Sequence, residues 1–449
     1  MPKNSLTELS NKTGIPVKEV KKLLALPYGE GKLPTPIALK SLSFAKGTIN
    51  DLREELEPYL KQSRKDAQKR VNHAFRLIAC NLVVSVVSKH RLSLAGTENA
   101  YNKGKYLQSL FLTFRAVNTV TKALIKAKYL TFKKGSKAKK EVNSYQPTKK
   151  LELLLLPLLY EVQEEYLGDD KSLIIFKAKE TESSGIGKTS NGLLVHRVAQ
   201  NYIMRRRSKS PELPLDHPDR AGLRRINEYL KNVTYALKAP VRRIYSNEDP
   251  MQGGRLYTHL QGLPDRRARI RINTLLNGKP VAEVDLSANH PRMLMALENQ
   301  KLPENFYDEI AAKTKTTRDQ VKYLVTRAIG ASNRRVLLKP DIDKKDWHKT
   351  DFVITPKQRT AIENAIEESC PLLFEKFYKG MGTYLQGLEG DILMKTMLSL
   401  IKHDIPSLPI HDAIYVQKRH VSKAKRALEI AWMEVLGVKF KPAIKIDKS

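Results

Sequence analysis

Apolar and polar positions change rhythm along the chain and divide it into three regions. In residues 1–60, apolar positions return every three or four residues. Within LTELSNKTGIPVKEVKKLLAL, Ile15, Val20, Leu23 and Leu24 follow a turn at Gly14, which predicts two short helices about a glycine turn. That is the outline of a helix-turn-helix and equally of a small helical cap, the commoner outcome, since two helices do not reveal which would enter a groove. From 61 to 240 the spacing stays helical, as in HAFRLIACNLVVSVVSKHRL and LFLTFRAVNTVTKALIKAKYL, and predicts a mostly helical body. From about 241 onward short strands alternate with helices. RARIRINTLLNGKPVAEVD predicts a hairpin turning at Asn277 and Gly278, with Asp285 ending its second strand. SLPIHDAIYVQ repeats the design, with His411 and Asp412 at the turn. The expected class is α+β, with an antiparallel sheet in the C-terminal half.

Composition narrows what such a chain can do. With 449 residues and 41% hydrophobic content it buries a sizeable core, in two or three packed units. The 80 Lys and Arg against 47 Asp and Glu give a formal charge of +33, whose field attracts a polyanion, nucleic acid foremost. Membrane is the competing polyanion. No apolar run approaches the roughly 20 residues a spanning helix needs, and MPKNSLTELSNK is no secretory signal, so a soluble, cytoplasmic protein is expected. Cys80 and Cys370 are too few for a disulfide framework and fit a reducing compartment; any metal would be held by oxygen or histidine.

Two basic segments suit phosphate contact from loops, or else form solvated surface: KKGSKAKK, with Lys137, Lys139 and Lys140, and YIMRRRSKS, with Arg205, Arg206 and Arg207. ESSGIGKTSNG has the Gly-Lys-Thr of a phosphate-binding loop but Glu182 where its first glycine belongs, so it reads as a flexible loop.

Asp285 and Asp412 are each ordinary turn residues when taken alone. Placed at the ends of adjacent strands, they could share two divalent cations about 3.5–4 Å apart, for which magnesium is the suited ion. Between them runs TKTTRDQVKYLVTRAIGAS. Arg318 and Lys322 lie four apart, with Thr326 continuing their face, a spacing able to grip a polyphosphate. Without the flanking carboxylates this would be an ordinary basic surface helix.

The order of these motifs resembles the palm and fingers of family A DNA polymerases and the related single-subunit RNA polymerases. DLSANHPRML (285–294) is similar to their first palm motif, with Asp285 as metal ligand and Arg292 seven positions on. RDQVKYLVTRAIG (318–330) resembles the fingers helix whose Arg and Lys bind the incoming nucleotide's phosphates. PIHDAIYV (409–416) resembles the third motif, with Asp412 the second metal ligand and His411 near the primer end. GGRLY matches the Gly-Arg element that contacts template or primer, here Gly254 and Arg255, and QGLEGDILMK matches the Gln-Gly stretch, here from Gln386. The resemblance covers about 250–449 in order. Its wider phrase, residues 253–294, also resembles palm-type proteins of bacterial mobile elements.

The resemblance implies a right-hand polymerase, with fingers over about 300–380 and an N-terminal body clasping nucleic acid. It implies two Mg2+ ions held by Asp285, Asp412 and the Leu286 carbonyl, with Lys322 and His411 assisting catalysis. The chain departs from the family at Gly330, where the fingers helix carries a tyrosine, at His290, where glutamate or glycine stands, and at Ala413. His290 would crowd a ribose 2′-hydroxyl, which favours deoxynucleotides, although it could also bond that hydroxyl. The expected function is template-directed DNA synthesis from nucleoside triphosphates. An RNA polymerase or primase, and a non-catalytic replication protein with a vestigial palm, are the rivals.

Overall fold

A computed structural model of the chain describes residues 5–28, 42–44, 49–103, 110–135, 143–164, 173–177, 213–214, 216–246, 249–265, 268–334 and 354–449. It is a mixed fold of many helices around small sheets, the largest of them antiparallel. Residues 182–192, expected to form a loop, lie outside the described residues.

Helix α1 (Leu6–Thr13) opens on a reciprocal Ser5–Glu8 cap and closes at Gly14, φ +73°, before α2 (Val17–Ala25). The expected helix pair is formed, and its second helix is docked on the C-terminal half. Glu19, Val20 and Leu23 are buried, and the Glu19 carboxylate accepts the Arg269 amide at 3.0 Å. A side chain at Gly14 would run into Leu275, so the turn needs glycine for space as well as for φ.

The middle of the chain comprises β1 (Ser43–Phe44), α3 (Asn50–Leu60), α4 (Lys65–Ser88), β2 (Leu92–Ser93), α5 (Glu98–Lys103), α6 (Phe114–Lys126), β3 (Leu130–Lys133), β4 (Ser144–Pro147), α7 (Lys149–Leu155), β5 (Val162–Gln163), β6 (Ile174–Phe176) and α8 (Pro218–Leu230). The body is mostly helical, with short strands that the spacing did not show: β1 pairs with β5, and β2, β4 and β3 form a three-stranded sheet. Strands of two to four residues are too short to display the period of two by which strands are read.

A correction concerns α4. By length and composition it could cross a membrane, with a mean hydropathy of 1.4, although no such run was expected. In the fold 78% of that apolar window is buried, the environment of a core helix.

The C-terminal half begins with the hairpin β7 (Arg242–Ser246) and β8 (Asp249–Tyr257), joined by β6 parallel to β7. There follow β9 (Leu275–Leu276), β10 (Lys279–Leu286), α9 (Asn289–Leu297), α10 (Phe306–Thr314), α11 (Arg318–Gly330), α12 (Pro356–Ser369), α13 (Gly382–Ile401), β11 (Ser407–Ile410), β12 (Ala413–Gln417), α14 (Val421–Leu436) and β13 (Ile444–Lys448). The central sheet runs β11-β12-β10-β13, with β9 paired to β10 across the expected turn. Asn277 and Gly278 both take positive φ, 48° and 68°, the twist a two-residue hairpin needs. Helix α14 packs on β10 and β12, and α13 packs on both α14 and β8. Where α13 crosses β8 the backbones nearly touch: a Cβ on Gly390 would collide with the Gly254 carbonyl oxygen.

Candidate functional site

The β10–β12 register sets Asp285 opposite Ala413. Asp412, one residue before Ala413, therefore sits at the same end of the sheet. The β11–β12 connection is His411 and Asp412 alone, since Ile410 pairs with Ala413, and His411 takes φ +54°. Two hairpin rules thus bring two remote carboxylates together.

Both are short of solvent and resist ionising. Desolvation, then the charges of Asp412 and Glu283, push Asp285 up to about 7, against the pull of Lys322 and Lys445. Desolvation and the Glu389 carboxylate push Asp412 up to about 6, against Arg255 and His290. The two carboxyls titrate as a pair, each resisting ionisation. His411 is exposed, yet desolvation of its ring and repulsion from Arg255 and Arg271 hold it below the usual imidazole value.

Beside Asp412 lies a buried hub. Glu389 of α13, 1% exposed, takes Arg255 Nε at 2.5 Å and Asn289 Nδ2 at 2.9 Å, and His290 Nε2 stands 2.9 Å away at ion-pair distance without hydrogen-bond geometry. Burial alone would raise its pKa, but His290 and Arg255 bring it down to about 2. Asn289 also accepts the Trp432 indole N–H at 3.3 Å, which ties the hub to α14. A parallel hub centres on Arg243, 3% exposed, which donates to Asp219 at 2.8 Å, Asp391 at 2.7 Å and the Gly387 carbonyl at 3.1 Å.

Helix α11 starts on a Thr317–Gln320 capping box and buries Val321, Leu324, Val325, Ala328 and Ile329. Its opposite face exposes Arg318, Lys322 and Thr326, as their spacing predicted. Lys322 is close enough to Asp285 to lower that group's pKa. Arg318 stands 3.4 Å from Asp308 and 5.5 Å over the Tyr307 ring, and the Thr326 hydroxyl donates to the Lys322 carbonyl.

The expected pair of magnesium ions is corrected. Among the described residues, no group of three or more His, Cys, Asp or Glu could hold a metal ion. The neighbouring carboxylates are engaged: Glu389 by Arg255, Asn289 and His290, and Glu283 by Arg271 at 3.5 Å. Among the described residues Asp285 and Asp412 are left without a third anionic donor, and the Leu286 carbonyl expected beside them is a neutral oxygen that does not make one.

Arg292 is corrected as well. It was expected to contact nucleic acid, but it is 6% exposed and its guanidinium donates to the carbonyls of Ser287, Leu302, Pro303 and Glu304 at 3.0–3.3 Å. It braces the loop after α9. Gly254, at φ +94°, serves the close crossing with α13, and Arg255 is turned onto Glu389. Gln386 is half-buried on α13. Lys137, Lys139, Lys140, Arg205, Arg206 and Arg207 lie outside the described residues.

Sequence reasoning missed Glu389, Asn289, Arg243, Asp219 and Lys445. Glu389 stood inside the QGLEGD stretch, and its signal was an acidic residue on the apolar face of a long helix, flanked by Gly387 and Gly390.

No protein-family model matches the chain, and no curated protein matches it. Among solved structures it is similar to the POL domain of Pol1 from M. smegmatis, in complex with DNA primer-template and dNTP. That match has 13% identity and a TM-score of 0.28, covering 96% of this chain and 69% of the other.

Proposed function

We propose that this chain is a nucleic-acid-binding, polymerase-like protein, and that nucleotidyl transfer from a nucleoside triphosphate onto a hydroxyl end is its activity. The observation that carries the reading is the meeting of Asp285 and Asp412 at one end of an antiparallel sheet, with the Arg318–Lys322–Thr326 face of α11 beside them. The cationic face suits a triphosphate and would neutralise the departing pyrophosphate. Asp285, with its pKa near neutrality, suits acceptance of the proton that an attacking hydroxyl must lose. The net charge of +33 supports nucleic acid as the polymer held.

Primer extension on DNA and RNA templates, with deoxy- and ribonucleotides each supplied with and without primer, tests the reading. Extension by the wild type, lost in Asp285→Asn and Lys322→Ala while nucleic-acid binding persists, is the expected result. A DNA polymerase, an RNA polymerase and a primase separate on the same gel. The absence of a metal-holding cluster among the described residues favours a second reading, a replication or nucleic-acid-binding protein without catalysis. It predicts no extension under any of these conditions and binding unaffected by either substitution.

A further inference from the structure

The longest one-signed stretch of the chain precedes Asp285 by more than a hundred residues. Between Glu98 and Glu141 there is no Asp or Glu at all, while the same residues carry eleven Lys and Arg. In the described part of this stretch, α6 displays Arg115, Lys122 and Lys126 to solvent at positions seven and four apart, one side of the helix. The chain then turns into β3, where Lys133 and Lys134 are exposed in succession.

Strand β3 is the outer strand of its sheet, which runs β2-β4-β3, and it ends at a four-residue segment of which only Leu130 is buried. Its one exposed large apolar side chain, Phe132, is 46% exposed to solvent. Phe132 is not loose: its ring lies 5.1 Å from that of Tyr145, directly across on β4. Tyr145 in turn is half-buried beside Thr121 of α6. One face of an aromatic ring is thus fixed by the fold at the seam of α6 and β3, with the remainder open to solvent among cations. On a neighbouring part of the same body, Lys126 Nζ sits 4.8 Å over the Tyr59 ring, itself 39% exposed.

We infer that Phe132, with the cations of α6 and β3 around it, is a stacking platform for an unpaired base of single-stranded nucleic acid. The cations supply attraction to the sugar-phosphate backbone, which is independent of sequence and sensitive to salt. The ring supplies a flat apolar surface on which a base stacks. That second contribution requires a base free of its helix, since in a duplex both faces of each base are already covered. A bare patch of lysines would draw duplex and single strand alike; the fixed exposed ring is what selects the single strand. The inference deepens the proposed function, resting on its nucleic-acid binding and not on its catalysis.

The test is fluorescence polarisation of the full chain with labelled oligo-dT, oligo-U and a duplex of equal length, over a range of salt concentrations. Phe132→Ala and Phe132→Leu should weaken binding of either single strand by about 5- to 100-fold, as loss of one stacked base does. They should leave duplex affinity and the salt slope unchanged, and Phe132→Trp should restore the single-strand affinity. The double variant Lys133→Ala/Lys134→Ala should weaken both forms and make the salt slope shallower by about 1–2. A half-exposed ring can be removed without unfolding the body, and an unchanged melting temperature verifies this. Equal single-strand affinity in wild type, Phe132→Ala and Phe132→Leu overturns the inference while leaving the proposed function standing. A wild type that binds no nucleic acid at low salt overturns both.

Discussion

Replacing Asp285 by Asn should stabilise the protein at pH 8, although it removes the residue most central to the site. The folded state holds this carboxyl at about 7 against an ordinary 3.8, so the fold prefers it protonated. A rise of that size corresponds to roughly 4 kcal/mol at about 1.4 kcal/mol per unit, which is the ceiling for the strain of keeping it ionised. Between those two values the native chain binds more protons than the unfolded chain, so stability falls as pH rises through the window. The penalty is absent below about pH 4 and complete above about pH 7. Asparagine has the same shape and no charge, but it gives up the attraction to Lys322 and Lys445, so a net gain of about 1–3 kcal/mol at pH 8 is expected. Calorimetric melting of wild type and variant from pH 4.5 to pH 8 should show the midpoints nearly together at the acid end, and the variant higher by roughly 1–3 °C at pH 8. A difference independent of pH, or a variant less stable at pH 8, would refute the reasoning.

Four further outcomes follow from the same geometry. Glu389→Leu leaves Arg255 and His290 without their buried partner and should destabilise by about 3–5 kcal/mol in urea titration. Gly390→Ala, with no room beside the Gly254 carbonyl, should fail to fold or lose at least about 3 kcal/mol, while Gly262→Ala, facing open space, should change stability by under about 1 kcal/mol; thermal melts of the pair decide. Arg292→Met should cost about 2–4 kcal/mol by orphaning buried carbonyls, yet leave the salt slope of nucleic-acid binding unaltered. Nucleic-acid affinity of the wild type should fall at least about 100-fold between 50 and 200 mM salt in a filter-binding series.

The pairing of Asp285 with Asp412 was readable because it depends on local rules, a β-rich run on each side and turn residues between. Asn277-Gly278 and His411-Asp412 both turn where those rules put them. The exposed Arg318–Lys322–Thr326 face was readable for the same reason, since a helix's period fixes which residues share a side. What failed depends on partners far away in sequence. Glu389 meets Arg255 across 134 residues and Asn289 across 100, and no periodicity reports such a meeting. The expectation of bound magnesium failed through the same blindness. Carboxylates near the site can be counted from the sequence, but not which of them an arginine has already taken. Arg292 misled because a charge was assumed to face solvent. Its neighbours Pro291, Met293, Leu294 and Met295 are all buried, and it is buried with them.

The near-contact of α13 with β8 limits how the C-terminal half can move. Neither segment can slide past the other without a carbonyl oxygen meeting an α-carbon, so the two travel together as a single strut. The strut carries Arg255 at one side and Glu389 at the other, so the hub beside Asp412 keeps its shape through any swing of α11. At the start of α13, Gly382 leaves room for Gly330 at the close of α11, so the cationic helix meets the strut glycine against glycine.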